Sequence, residues 1–596
     1  MSRNPLILPW SRGPAPAAVA LPAALRGILA SLTAAIAVLI APSAFADDLP
    51  DQPSTPDDIP GEIAVDLVDD LSDSDVDAFA RSLSLPLLPS SVLTARTRVH
   101  RAVVPDGDVA GWIRKLAVDP RVQNVEPLAW VHASWTPDDP LLDRQWHLDR
   151  IGMKSAWPWA TGRGVTVAVV DTGVACEDHP PFSRGTDLAQ TWCLRGFDIT
   201  RNQPGGSDDN GHGTHVAGTI AQSTDNAIGG AGVAFHARLL PVKVLDAQGR
   251  GTTVQVADGI RFAADAGAHV INLSLGGARA SRIMRDALAY ARSKGAVVVA
   301  AAGNNGRYVE YPAAFDSVIA VSATDSSDAL ARFSSRGKEV DIAAPGVQVL
   351  QQTVCDGGRN RCEQFATLSG TSMASPHVAG AAALLMSIGV TDPARVESIL
   401  EETARLPPGA DRGGPLFGAG VLDASAAIPP TVLKHAIVRL AIAALLVAWV
   451  VQRIRRKRGI VRPWRPAFVI AVLAFGPGLL FFVPWIVARV QLPIDLLARP
   501  VPEWDLLLGV SVHRWLPLAT FALPLALSAI GFGFKRLRPA IAGSAVGTAA
   551  YLLSLPALRI TATGLPSLGL LTLWALINLV VCLWLASLNL DERDPA

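Results

Sequence analysis

The sequence has no surplus charge of either sign. Its 52 Lys and Arg balance 52 Asp and Glu, and nothing in that balance points to nucleic acid or to a polyanionic substrate. Cysteine is scarce, five residues in 596, and none of the spacings matches a zinc site. What the chain does have is apolar character: a mean hydropathy of +0.32 is too high for a wholly soluble protein, and the excess is concentrated at the two ends. At about 100–200 residues per domain, such a length implies several segments.

At the N-terminal end, Arg3, Arg12 and Arg26 precede an uncharged apolar run from Gly27 to Ala41. Pro42 breaks the run, and Ala44-Phe45-Ala46 has the small-x-small form that signal peptidase reads. The run is shorter than the roughly 20 residues a bilayer needs, so residues 1–46 are expected to be a cleaved signal peptide. An uncleaved anchor is the alternative, and either way the chain beyond residue 46 is exported. Cys176, Cys193, Cys355 and Cys362 lie in that exported part, where an oxidising compartment favours disulfides. Of the connectivities open to them, Cys176–Cys193 and Cys355–Cys362 are expected because each closes a short local loop; free thiols are the alternative. Cys582 stands alone in a late apolar segment.

Residues 47–136 read as an acidic, proline-rich linker and then a small α+β domain. Its expected strands are Gly61–Val68 and Val122–Val131, and its expected helices Asp73–Ser84 and Asp108–Val118, each with an acidic cap. Residues 137–428 alternate apolar strands, such as Val165–Val170 and Val270–Leu275, with helical stretches, such as Val254–Ala266 and Ala280–Lys294. That alternation predicts an α/β fold, a parallel sheet with helices on both faces, whose sites form at the carboxyl ends of the strands. Residues 429–596 read as an all-α transmembrane region with spans near 436–452, 467–488, 515–534, 540–558 and 565–588. None of these contains Asp or Glu, and Arg439, in the first, is expected to snorkel to the outer surface. The loops 453–466 and 535–539 carry ten Lys or Arg, whereas the opposite side carries Arg489, Arg499, Arg514 and Arg559. The positive-inside rule therefore predicts a multi-pass protein of the cell membrane with residues 137–428 outside the cytoplasm.

Three segments carry chemistry. The strand V-T-V-A-V-V ends in Asp171-Thr172-Gly173, N-G-H-G-T-H-V-A-G contains His212, and S-G-T-S-M-A-S-P-H contains Ser372. Acyl transfer needs a hydroxyl nucleophile, an imidazole to take its proton and a carboxylate to orient the imidazole. The order Asp…His…Ser, with all three blocks intact from about Asp138 to Ala427, resembles the subtilisin family and within it the thermitase-like branch. A zinc reading of His212 and His215 lacks a third ligand.

The resemblance implies a serine endopeptidase that needs no cofactor for its chemistry, with Ser372 as nucleophile, His212 as general base and acid, Asp171 as orienting carboxylate and Asn304 in the oxyanion hole. His215, Asn305 and His377 match neighbouring, non-catalytic places. Gly249–Gly251 and Ser274-Leu275-Gly276 resemble the two edges between which a peptide lies as an added strand, so the partners implied are protein or peptide substrates. Glu310 matches the floor of the S1 pocket, and a carboxylate there implies a preference for Lys or Arg. Asp139, Asp198 and Asn226 match ligands of a structural calcium site. The domain before residue 137 stands where the family carries a propeptide, an inhibitor of its own enzyme removed by self-cleavage between Val131 and Asp139. A catalytically idle peptide-binding or sensing module on a membrane anchor, the rival reading, would need a broken triad or a filled oxyanion position, and the sequence has neither.

Overall fold

The computed structural model describes residues 58–91, 93–105, 107–129, 136–354, 364–485, 494–507, 518–558 and 568–591. The expected signal peptide, Cys355 and Cys362 lie outside them. The chain divides into two compact units, Met1–His132 and Ala133–Ala596.

The first unit is a four-stranded sheet of β1 (Asp58–Leu67), β2 (Leu88–Pro89), β3 (Val99–Val103) and β4 (Val122–Ala129), in the order β2-β3-β1-β4. Along β1 the alternating Ile63, Val65 and Leu67 are buried, the period expected of a strand covered on one face. They pack with Val76 and Phe79 of α1 (Asp73–Leu83) and Leu116 of α2 (Val109–Leu116). The expected cap of α1 is corrected by one residue. Ser72, not Asp73, accepts from the Asp75 amide while Asp75 reaches back to the Ser72 N–H, because a short hydroxyl side chain closes that box best. Asp108 caps α2 as expected.

The second unit is built on β5 (Thr166–Asp171), β6 (Trp192–Cys193), β7 (Phe197–Asp198), β8 (Gln203–Pro204), β9 (Arg238–Lys243), β10 (Val270–Leu273), β11 (Val297–Ala301), β12 (Ile319–Thr324) and β13 (Ile342–Pro345). Their order is β13-β12-β11-β10-β5-β9-β7-β8, with β6 also on β9, and the pairs are parallel except β7 with β8. From β5 the chain builds β6 to β9 on one side and then crosses to β10 on the other. The carboxyl end of β5 is thus the point where the winding reverses, the place where such sheets open a crevice. Both faces of β5 are covered. Val167 and Val169 pack under α3 (His212–Ala221) and α6 (Thr371–Ser387), whereas Ala168 and Val170 pack under α4 (Thr253–Asp265) and α5 (Arg282–Ser293). The fold is the subtilisin-like α/β arrangement expected.

The change of composition at Pro429-Pro430 is no break in structure. A single helix, α7 (Ala424–Arg456), runs through it. Among the described residues three helices are long and apolar enough to cross a membrane: Ala424–Arg456, Arg538–Ala557 and Gly569–Leu590. The spans expected near 467–488 and 515–534 hold shorter apolar helices, Pro466–Phe475 and Ala522–Gly531. The first of these ends at Gly476, and Pro477 after it has no N–H to continue the helical hydrogen bonds. Arg439 does not snorkel. Its side chain is 4% exposed and ion-paired to Glu503 at 2.6 Å, since a loop from outside the spans returns to neutralise it.

Candidate active site

Asp171 is the last residue of β5 and is fully buried. His212 opens α3, and its Nδ1 donates to Asp171 Oδ1 at 2.7 Å. Burial opposes a charged ring, but the Asp171 charge and hydrogen bond outweigh it, so the His212 pKa is raised above its ordinary value. The start of α3 is held by Asp208. Its carboxylate accepts from the N–H groups of Asn210, Gly211 and Thr214 and from the hydroxyls of Thr172 and Thr214. Sequence reasoning missed Asp208; a carboxylate four residues before a helix, in a turn that ends in Asn210-Gly211, is the signal that could have found it.

Ser372 is the second residue of α6, where first-turn N–H groups have no helical partner and the helix dipole favours negative charge. Its hydroxyl donates to the Ser274 carbonyl at 3.1 Å, and among the described hydrogen bonds it makes none to His212. Catalytic hydrogen bonds often tighten only once substrate is bound, by a turn of the seryl side chain. Ser274 Oγ donates to the Ser372 carbonyl at 2.8 Å and accepts from Asn272, whose Oδ1 in turn accepts from Ser375. This buried chain ties β10 to the first turn of α6.

Asn304 comes just after β11 and is exposed. Its Oδ1 accepts from the Thr371 N–H at 2.9 Å and the Thr371 hydroxyl at 3.1 Å, which turns its Nδ2 outward. A Cβ placed on Gly370 would stand 3.6 Å from Asn304 Nδ2 and 3.7 Å from the Ser372 nitrogen. The Asn304 amide and the Ser372 N–H thus flank one point beside Gly370, and Thr371, which the sequence did not single out, is what holds the amide.

Of the two edges, Ser274–Gly276 continues from β10 beside Ser372. Gly249–Gly251 lies in the turn before α4, joined to the His212 loop by Asn210 Nδ2 donating to the Ala247 carbonyl. The Glu310 carboxylate lies against Gly276 and Gly303, so closely that a Cβ on either would meet it at 2.7 Å, and it accepts from Asn305 Nδ2 at 2.9 Å. His377 is buried and bonds His147 at 2.8 Å, while His215 bonds the Val349 carbonyl at 3.0 Å. Cys176 and Cys193 form a disulfide as expected.

The calcium expectation needs one correction. Asp139 and Asn226 come together, the Asn226 N–H donating to Asp139 at 3.2 Å, but Asp198 does not join them. It lies in β7 with its carboxylate accepting from Thr200 and Arg201, because the turn between β7 and β8 folds back over it. The carboxylate that does meet Asn226 is Asp187, which accepts from Asn226 Nδ2 at 2.8 Å, from Gln222 and from the Gly230 N–H. Burial, with a smaller push from the Asp139 charge, raises Asp187 to about 7, and burial raises Asp139 to about 6. Two buried acids whose charged forms burial disfavours, with an amide between them, fit a hard cation. Among the described residues no three His, Cys, Asp or Glu side chains converge as a metal centre, so carbonyl and amide oxygens would complete the shell.

With this geometry in place, comparison with known proteins decides the family. The subtilase family pattern matches residues 162–421. The thermitase of Thermoactinomyces vulgaris is 44% identical over 272 residues, 45% of this chain and 92% of that protein. The chain belongs to the subtilase family and is a serine endopeptidase. A thermophilic serine proteinase of Bacillus sp. strain AK1 is 42% identical over 305 residues, 51% of this chain and 72% of the relative. An extracellular protease of Xanthomonas campestris is 38% identical over 363 residues, 53% of this chain and 60% of the relative.

Proposed function

We propose that this subtilase is a membrane-anchored endopeptidase, made as a self-processed zymogen, that cleaves extracytoplasmic proteins through an acyl-enzyme on Ser372. The observation that carries the reading is the 2.7 Å Asp171–His212 hydrogen bond at the carboxyl end of β5, with Asn304 after β11 and Ser372 in the first turn of α6. His212 Nε2 takes the Ser372 proton as Oγ attacks the scissile carbonyl, and the Asp171 charge stabilises the imidazolium that forms. The oxyanion forms between Asn304 Nδ2 and the Ser372 N–H. His212 then gives its proton to the leaving amine, and water repeats the sequence to release the acyl group.

Anchoring is supported by large apolar side chains left exposed on the long helices, among them Leu445, Leu573, Val580 and Trp584, which water would not tolerate as a contiguous surface. Lipid, with the peptidase outside, is the environment they fit. The small domain of residues 47–136 acts as the propeptide, inhibiting until cleaved. Idle binding is not favoured, since the Asp171–His212 pair is intact and the Asn304 amide lies beside the Ser372 N–H.

Substrate enters as an extended strand beside Ser274–Gly276, with its P1 side chain directed at Glu310. Assays with peptides differing only at P1 test this. Arg is expected to exceed Phe in kcat/KM, and Glu310→Gln to cut the Arg/Phe ratio by about 10- to 100-fold, the worth of a charge-assisted hydrogen bond. A clear wild-type preference for Phe would remove the assignment.

Calcium binds between Asp139, Asp187 and Asn226 as a structural ion. Chelation is expected to lower Tm, and the sign of its pH dependence is specific. Both carboxyls have folded pKa values above the ordinary 3.8. The folded chelated protein therefore holds more protons than the unfolded chain from about pH 4 to 7, and its stability falls as pH rises through that window. Saturating calcium should abolish that contribution. Melting curves that coincide with and without chelator across the window would exclude the site.

A further inference from the structure

The peptidase core and the apolar bundle share one helix. Ala424, Ala427 and Ile428 of α7 pack in the core that surrounds α6, and Ala443, Val450 and Ile454 of the same helix pack in the bundle with Val472, Ala545 and Leu585. No loop intervenes. A second joint grips the far end of α6, the helix that carries Ser372 in its first turn. Arg499 Nη1 donates to the carbonyl of Ser387, the last residue of α6, and Gly389 lies so close to Glu503 that a Cβ on it would be 3.1 Å from Oε1. Glu503 in turn accepts from Arg439 Nη2 at 2.6 Å, Arg439 Nε donates to Ser554 Oγ at 3.3 Å, and the guanidinium stands 4.6 Å over the Tyr551 ring. Leu506, from the same returning loop, sits in the peptidase core. Breaking one partner of a buried pair leaves an uncompensated charge, so this joint holds one geometry.

The joint has a depth. At 1.5 Å per residue, Arg439 stands about 21 Å along α7 from Arg453 and Ser554 about 24 Å along its helix from Arg538. With those basic ends at the inner surface and about 30 Å of hydrocarbon, the Arg439–Glu503 pair lies in the outer leaflet. Along α6, Ser372 is about 22 Å from Ser387, which touches the joint. Ser372 is thereby held within roughly 30 Å of a point inside the bilayer, a span that an extended chain covers in about nine residues. We propose that the enzyme is built for substrates inserted in the same membrane, cutting their extracytoplasmic segments close to the bilayer surface. This rests on the anchored-protease reading above and names its substrate class.

The test uses the full chain in phosphatidylethanolamine–phosphatidylglycerol vesicles, with single-span reporters carrying one cleavable sequence about 20 or 100 residues from the outer end of the span. Effective concentration falls about as the −3/2 power of spacer length, so the near site is expected to be cut roughly 10-fold faster than the far one. A flexible Gly-Ser insertion between Ile428 and Pro429 should shrink that ratio while leaving hydrolysis of a soluble peptide unchanged. Equal rates at the two spacings in the wild-type protein would overturn the proposal. Two controls keep its failure apart from that of the reading beneath it: a protein that does not float with the vesicles is not anchored, one that leaves the soluble peptide uncut is not an active protease, and either result overturns both.

Discussion

Ser372→Ala is expected to lower kcat by about a million-fold, the loss known from a subtilisin deprived of its nucleophile, while the protein stays folded. Folding survives for a local reason. Among the described residues the hydroxyl makes one hydrogen bond, to the Ser274 carbonyl, and its loss costs about 1 kcal/mol. The Asn272–Ser274–Ser375 chain that holds the first turn of α6 does not use the Ser372 hydroxyl. The kinetic effect is large because Ser372 and His212 act as one unit: without the hydroxyl there is no proton for the imidazole to take. His212→Ala alone, and the double substitution, should therefore cost about as much as Ser372→Ala, not the product of the two. Residual hydrolysis would come from the oxyanion donors and substrate binding. Steady-state kinetics on one peptide with all three variants checks this, and a double variant markedly slower than either single one would break the unit apart.

The second large effect belongs to Asn304. Replacing it with Ala is expected to reduce kcat by about 100- to 1,000-fold with KM little changed; the figure comes from the matching asparagine of a subtilisin and is not an independent estimate for this chain. The separation of kcat from KM is a consequence of the geometry. Asn304 Nδ2 and the Ser372 N–H flank one point beside Gly370, and charge develops there only once the carbonyl has been attacked, so the donor acts in the transition state. Thr371 holds the amide by its N–H and its hydroxyl, and Thr371 is itself buried, so the donor is aimed before substrate arrives. A rise in KM with kcat preserved would show that Asn304 binds the ground state instead.

How far the site could be read in the sequence depended on whether each residue is placed by its neighbours in the chain or by distant ones. Asp171, His212 and Ser372 sit at ends of regular elements within contiguous motifs, and β5, α3 and α6 deliver them where the motif order implied. Asp187 shows the opposite case. It lies in the loop closed by Cys176–Cys193, and what makes it a partner of Asn226 is a fold-back through Gln222 and Gly230 that no local spacing records. Matching by position along the chain points to Asp198, which the β7–β8 turn places elsewhere. Arg439 is a similar case: read alone in an apolar run it must snorkel, and its actual partner, Glu503, arrives from a loop that hydropathy assigned to the outside. A membrane span near 436–452 could be read from hydropathy, but Pro429-Pro430 read as a boundary, whereas the helix runs from Ala424 to Arg456 through both prolines.

The most direct test of the account is covalent. Treated with a fluorophosphonate, the active protein should carry one adduct, located by peptide mass spectrometry on Ser372, and His212→Ala should abolish the labelling. An enzyme that hydrolyses peptides yet stays unlabelled, or carries the adduct on another residue, would contradict the assignment of Ser372 as the nucleophile.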